Sequence, residues 1–249
     1  MAKTSGIIKI EGTIEDLTFY KKDGQNFVRK KGGIAKERIL NDPNFIRTRE
    51  NGSEFSHSAS SGKILRSAVG RLVFKVKDSK LSSRLLQTMA GIKNLDTTSA
   101  RGLRNVSNGI ATAEGKQALK GFDFNNRAHL KSVLFAPYVL DNLTGTISFT
   151  DLIVADQFHF PQGATHIALQ GAFLNLDFET QISEVTYSNI ANLPINLVAS
   201  SPILVPTGVP TGTGVQLYLL MISFYQEVNN VQYSLRNEEY NVLNIIEVI

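Results

Sequence analysis

Residues 17–55, LTFYKKDGQNFVRKKGGIAKERILNDPNFIRTRENGSEF, combine a tight-turn dipeptide, a glycine pair, a helix-start triplet and a dense set of cations. Asp23-Gly24 lies between Leu17–Lys22 and Gln25–Lys31. Glycine tolerates the positive φ that a two-residue hairpin turn demands, so these arms read as an antiparallel pair. Phe19 and Tyr20 on one arm meet Phe27 and Val28 on the other, and Lys21, Lys22, Arg29, Lys30 and Lys31 make both arms basic. Two uses fit such a hairpin. It can follow a nucleic-acid backbone and stack bases on its aromatics, or it can be an edge hairpin whose lysines discourage stray strand pairing.

Gly32-Gly33 releases the chain, and Ile34–Leu40 reads as a short helix. Asn41-Asp42-Pro43 is a start signal for the next one: Asp42 is suited to the N-cap, and Pro43 to N1, where its missing N–H costs nothing. Phe45, Ile46, Ile64, Leu65, Ala68, Val69, Leu72 and Val73 then suggest a long helix. Its middle, GSEFSHSASSG (52–62), is poor in helix formers. Either the helix breaks there, or small side chains let it pack against another backbone. Arg47, Arg49, Lys63, Arg66 and Arg71 would decorate it, and with the hairpin cations they form the candidate anion- or partner-binding set.

Upstream, GIIKIEGTI (6–14) reads as a strand. Downstream, Leu81–Lys93 has clear amphipathic spacing, Asp96-Thr97-Thr98 can cap a segment over 99–109, and Thr112–Leu119 is a further helix ended by Gly121. From Ser132 the texture changes. Val133–Val139, Gly145–Ala155, His166–Phe178, Thr180–Tyr187, Ile195–Ala199 and Val215–Val228 read as strands; Asn229-Asn230 turns into Val231–Leu235, and Tyr240–Ile249 ends the chain. The expected fold class is α+β: a basic hairpin-plus-helical domain over 1–131 and an acidic β-sandwich domain over 132–249, of immunoglobulin-like or jelly-roll type. The Pro- and Gly-rich loop 200–214 reads as an exposed excursion, either a recognition loop or a tolerated connection.

The net charge of +4 hides an asymmetry. Residues 1–131 hold 25 Lys and Arg against 12 Asp and Glu, whereas residues 132–249 hold one Arg against 10 acids. The basic part could meet an anionic polymer or the acidic part of another copy. With no cysteine, disulfides, thiolate metal sites and a Cys nucleophile are excluded. No phosphate loop, dinucleotide fingerprint, zinc-protease helix or nucleophile elbow occurs. Asp156, His159 and His166 could be drawn as a metal triad, but residues three apart on a strand point to opposite faces. His57, with Glu54 and neighbouring serines, could be drawn as a relay, without an oxyanion hole beside it. No cofactor, catalytic group or metal ligand is assigned. The N-terminus lacks a signal-peptide run and no stretch is long enough to span a membrane, so cytoplasmic synthesis is expected.

The order GIIKIEGTIEDLTFYKKDGQNFVRKKGG, ILNDPNFIRTRENGSEF and GKILRSAV resembles a family of proteins of Bacteroidetes-type bacteria with no assigned activity. The matching positions are Gly12, Thr13, Thr18, Phe19, Tyr20, Asp42, Pro43, Phe45, Arg47, Thr48, Arg49, Glu50 and Asn51, within the first 70 or so residues. The resemblance implies a bacterial origin, structural roles for these residues and no cofactor.

The sequence thus predicts a non-enzymatic, self-assembling structural protein whose basic and acidic halves make head-to-tail contacts, possible as a particle or phage-type component. Nucleic-acid binding by the basic half is the alternative. A third use, ligand binding at the 200–214 loop, has no residue-level support.

Overall fold

In the computed structural model the described residues are 2–3, 10–30 and 32–249, so Lys31 and most of the expected strand over 6–14 lie outside them. The chain divides into two compact units, 1–49 and 50–249.

The first unit holds strands β1 (Ala2–Lys3), β2 (Gly12–Ile14), β3 (Leu17–Lys22) and β4 (Gln25–Lys30), in the antiparallel order β1-β4-β3-β2. The expected hairpin is present. Lys22 pairs with Gln25 across a turn in which Asp23 and Gly24 have φ of 51° and 76°, the left-handed pair that matches strand twist. Helix α1 (Lys36–Asn41) follows. Asp42 then accepts from the Asn44 N–H at 2.9 Å, Pro43 opens a short 3-10 turn, and helix α2 (Ile46–Ala68) grows from it, as the triplet predicts.

Helix α2 runs unbroken through the Ser- and Gly-rich middle. Ser58 and Ser61 donate to the carbonyls of Glu54 and His57, one turn back, and both are buried. A Cβ at Gly62 would sit 3.4 Å from the Leu85 Cβ, so small residues set the approach of the next helix pair. That pair begins with α3 (Gly70–Val73) and α4 (Leu81–Lys93), which buries Leu81, Leu85, Met89 and Ile92. The segment over 99–109 becomes helical only from Val106. Burial disfavours the Asp96 carboxylate, but N–H groups of Thr98, Ser99 and Asn105 and the Thr98 hydroxyl bond to it and hold it well below the usual range. Asp96 thereby fixes a loop, and the helix starts later, at α5 (Val106–Ile110), capped by Asn105. Helix α6 (Ala113–Leu119) starts at the Thr112 cap. Gly109 and Gly115 lie so close to neighbouring backbone that a Cβ on either would fall 2.0 Å from a carbonyl oxygen, of Ile92 and Gly109 respectively.

The start of the β region differs from expectation. Asp123 accepts from the Leu130 N–H, and residues Leu130–Val133 form a helical turn, α7. Strand β5 (Val139–Asp141) begins only beyond Pro137. Strand β6 (Thr146–Ser148) is short, since Asp151 takes φ 50° and Gln157 folds back to accept from the Ile153 N–H before α8 (Val154–Gln157). Strands β7 (His166–Leu176), β10 (Val215–Val228), β11 (Val231–Ser234) and β12 (Val242–Val248) match, whereas β8 (Ser183–Pro194) runs on well past its expected end at Tyr187. Residues 195–199 are not a strand; Asn196 closes a turn by accepting from the Val198 N–H at 3.0 Å. The 200–214 loop is no free excursion. It contains β9 (Ile203–Leu204), bridges Ser188 through Pro206, and is tied to β8 by Thr211 on Glu184.

Strands β11-β10-β7-β8 form one antiparallel sheet, with β12 joining β10 beside β11, and β5-β6-β9 form a second. Side chains alternate. Leu174, Leu217, Leu219, Met221, Leu243 and Ile245 pack on Leu65, Leu72, Leu85, Met89 and Ile92 of the helices. Phe173, Tyr218, Leu220, Ile222 and Phe224 pack on Ile147 and Leu204 of the small sheet. The second unit is therefore helices, main sheet and small sheet in layers. The expected boundary after Lys131 marks a change of charge between layers, whereas the division into compact units falls after Arg49. The reason is that helices 65–119 and strands 172–248 share one core.

Candidate assembly interface

Opposed residues of an antiparallel pair share a face. Ile14, Leu17, Phe19, Lys21, Asn26, Val28 and Lys30 thus lie on one face of the N-terminal sheet, and Thr13, Thr18, Tyr20, Lys22, Gln25, Phe27 and Arg29 on the other. No described residue of this unit is buried, and Ile14 and Leu17 are 53% and 40% exposed. On the second face Tyr20 and Phe27 stack with centroids 5.7 Å apart, and the Arg29 guanidinium lies over Tyr20 at 5.6 Å. The first face has apolar side chains flanked by two lysines. Lys30 pairs with Asp16 at 3.4 Å, but both stay largely in water, where such a pair contributes little.

The remaining candidate cations are dispersed. Lys31 lies outside the described residues. Arg47 stands in the first turn of α2. Arg49 donates to the carbonyls of Ile39 and Asp42 at 2.7 and 3.0 Å, closing the end of α1. In the second unit Lys63 and Arg66 line a cavity of about 220 Å³ with Ala59, Ser82 and Leu86, where Arg66 donates to the Ser82 hydroxyl. Arg71 covers the Tyr187 ring at 5.0 Å. Among the described candidates, only the four hairpin cations 21, 22, 29 and 30 form a compact set, two on each face of one sheet.

The Glu54–His57 arrangement has a structural use. Glu54, 3% exposed, accepts two bonds from Arg104 at 2.9 and 2.8 Å, one from Lys93 at 2.5 Å and one from the Gly102 N–H at 2.8 Å. The Arg104 guanidinium outweighs burial, and with Lys93 it holds the carboxyl down at about 2. His57 faces the start of α5, its Nδ1 3.5 Å from the Val106 N–H. His166 lies 3.6 Å from Glu227 and bonds to Thr165. Among the described residues, no group of three His, Asp or Glu side chains comes together as a metal site would require. Among them, too, no helix is long and apolar enough to cross a membrane.

One surface was not singled out in the sequence reading. Strands β5, β6 and β9 turn Leu140, Ile147 and Leu204 inward, so Val139, Asp141, Ile203 and Val205 point out. The ribbon continues through Phe149 on Pro202, Leu152 on Ser200 and Ala155 on Asn196, adding exposed Asp151, Asp156, Leu197 and Val198. Two contacts seat its hairpin tip. The Tyr218 hydroxyl donates to the Asn142 carbonyl at 2.5 Å, and Gly145, φ 73°, lies where a Cβ would fall 2.7 Å from the Phe173 ring. The signal for this surface was the absence of any Lys or Arg between 132 and 235.

Comparison with protein-family models, curated proteins and solved structures returns no match. Any function must therefore be argued from geometry.

Proposed function

We propose that this chain is a non-enzymatic, self-assembling structural protein that associates head to tail with its own copies. The observation that carries this reading is the N-terminal sheet: an apolar face with lysines at its margin, in a unit none of whose described residues is buried. Isolated sheets need a covered face to be stable in water, and exposed apolar patches rimmed by polar groups mark association surfaces. A contact between unlike surfaces is heterologous and builds rings or filaments instead of closed pairs. The opposite sign lies in residues 132–249 of the second unit, which carry one Arg against 10 acids, whereas residues 50–131 of the same unit are basic, with 14 Lys and Arg against 6 acids. Its most displaced carboxylates, Glu54 and Asp96, are enclosed by donors within the fold, which supports a scaffolding role for them.

A second reading is favoured by the Tyr20–Phe27 pair beneath Arg29, a basic aromatic platform on which bases of single-stranded nucleic acid could stack. Sedimentation velocity of the full chain over a concentration series, at low and high salt, separates the two. Self-assembly requires species that grow with concentration and shrink with salt. A monomer at every concentration that retards a single-stranded oligonucleotide at low salt would replace it with the second reading.

A further inference from the structure

We infer that the surface receiving the N-terminal sheet is the outer face of the β5-β6-β9 ribbon of a second copy. This inference rests on the self-assembly reading and adds the partner surface to it. The two surfaces match in kind. The donor face presents exposed Ile14 and Leu17 and half-buried Phe19 and Val28 between Lys21 and Lys30. The acceptor presents Val139, Ile203 and Val205 among Asp141 and Asp151, with Asp156, Leu197 and Val198 farther along. Val139 and Leu197 are 69% and 71% exposed, high for side chains of this size. No Lys or Arg from 132 to 235 opposes an approaching basic sheet. Asp141 stays ionised, since the Thr144 hydroxyl and the Leu143 N–H bond to its oxygens and lower its pKa.

The spacing is also compatible. Four residues separate Lys21 from the Leu17–Lys30 pair, or ~13 Å along a strand. Five separate Thr146, opposite Asp141, from Asp151, at most ~16 Å. A six-residue strand by three strand spacings gives a face of roughly 300 Å², well below the ~800 Å² per partner of a stable pair. Each single contact is therefore weak and salt-sensitive, and a long assembly forms only when copies are concentrated.

Charge reversal tests the assignment in the full chain. Lys21→Glu/Lys30→Glu removes the donor and Asp141→Lys/Asp151→Lys removes the acceptor; all four positions are exposed, and circular dichroism checks that each variant folds. Each variant alone is expected to sediment as a monomer, with association weakened at least about tenfold. Mixed, they are expected to regain growth as an alternating assembly, since the Lys donor of one meets the Asp acceptor of the other and the Glu donor meets the Lys acceptor. All four reversals in one chain are expected to restore growth. If the acceptor variant assembles like wild type while the donor variant does not, the receiving surface lies elsewhere and self-assembly stands. If wild type never assembles, the functional reading falls with it.

Discussion

Replacing Glu54 by glutamine keeps the shape of the side chain and removes the charge that Arg104, Lys93 and the Gly102 N–H converge on. The carboxyl is held from its ordinary 4.5 down to about 2, and at about 1.4 kcal/mol per pH unit this corresponds to ~3 kcal/mol of stability at neutral pH. A second route gives a similar figure. Removing one partner of a buried ion pair costs about 3–5 kcal/mol because the other charge is left stranded. Here the lower end applies, since the Arg104 side chain is 29% exposed and water screens it, while Lys93 is left buried. With a urea slope near ~2.5 kcal/mol/M, the unfolding midpoint of Glu54→Gln falls by about 1 M at unchanged slope. The pH dependence is the sharper test. Because the folded pKa is depressed, the contribution is complete above the unfolded value of 4.5 and disappears as pH falls toward about 2. The stability difference between wild type and Glu54→Gln must therefore narrow across that window. Asp96 also titrates low, but it is present in both proteins and cancels in the difference. A loss below about 1 kcal/mol at neutral pH, or a gap independent of pH between 5 and 2, would refute the assignment.

Glycines on neighbouring helices give opposite expectations. Gly109→Ala drives a Cβ against the Ile92 carbonyl and is expected to cost about 3 kcal/mol or more, whereas Gly91→Ala, on an exposed turn of α4 with nothing within 4 Å, is expected to gain ~0.5–1 kcal/mol. Thermal melts of the two variants, shifted in opposite directions, check this. Burial, together with the charges of Asp141 and Glu247, pushes the Tyr218 phenol up to about 12. In an ultraviolet titration, the difference between wild type and Tyr218→Phe should be one phenol ionising near 12; one ionising near 10 would show that the hydroxyl is not buried beside Asp141 and Glu247.

What the sequence revealed followed from local chemistry. Asp23-Gly24, Asp42-Pro43 and Asn229-Asn230 specify turns and a cap by their own backbone preferences, and all three form as read. Strand β10 was legible end to end because its β-formers run between Gly214 and a turn pair. The failures came where a distant polar group took control. Asp96 gathers N–H groups from a loop up to Asn105, and Asp123 captures Leu130, so segments that looked helical or extended became something else. The charge break after Lys131 and the division into compact units after Arg49 differ for a related reason. Net charge reports what lies on a surface, and here the surfaces belong to layers that share a core. Of the cations, the four on the hairpin were legible as a set because strand pairing fixes their faces. The partners of Arg49, Arg66 and Arg71 were set by tertiary contacts that no local pattern encodes.

Strand β10 sends Leu217, Leu219 and Met221 to the helices and Tyr218, Leu220, Ile222 and Phe224 to the small sheet, while pairing with β7 from Val215 to Tyr225. One backbone thus serves as the spar on which both cores are mounted. Neither can swell without bending the rod that stiffens the other. Within the second unit, the outer ribbon is therefore joined through Tyr218 to a strand backed on its other side by the helical layer.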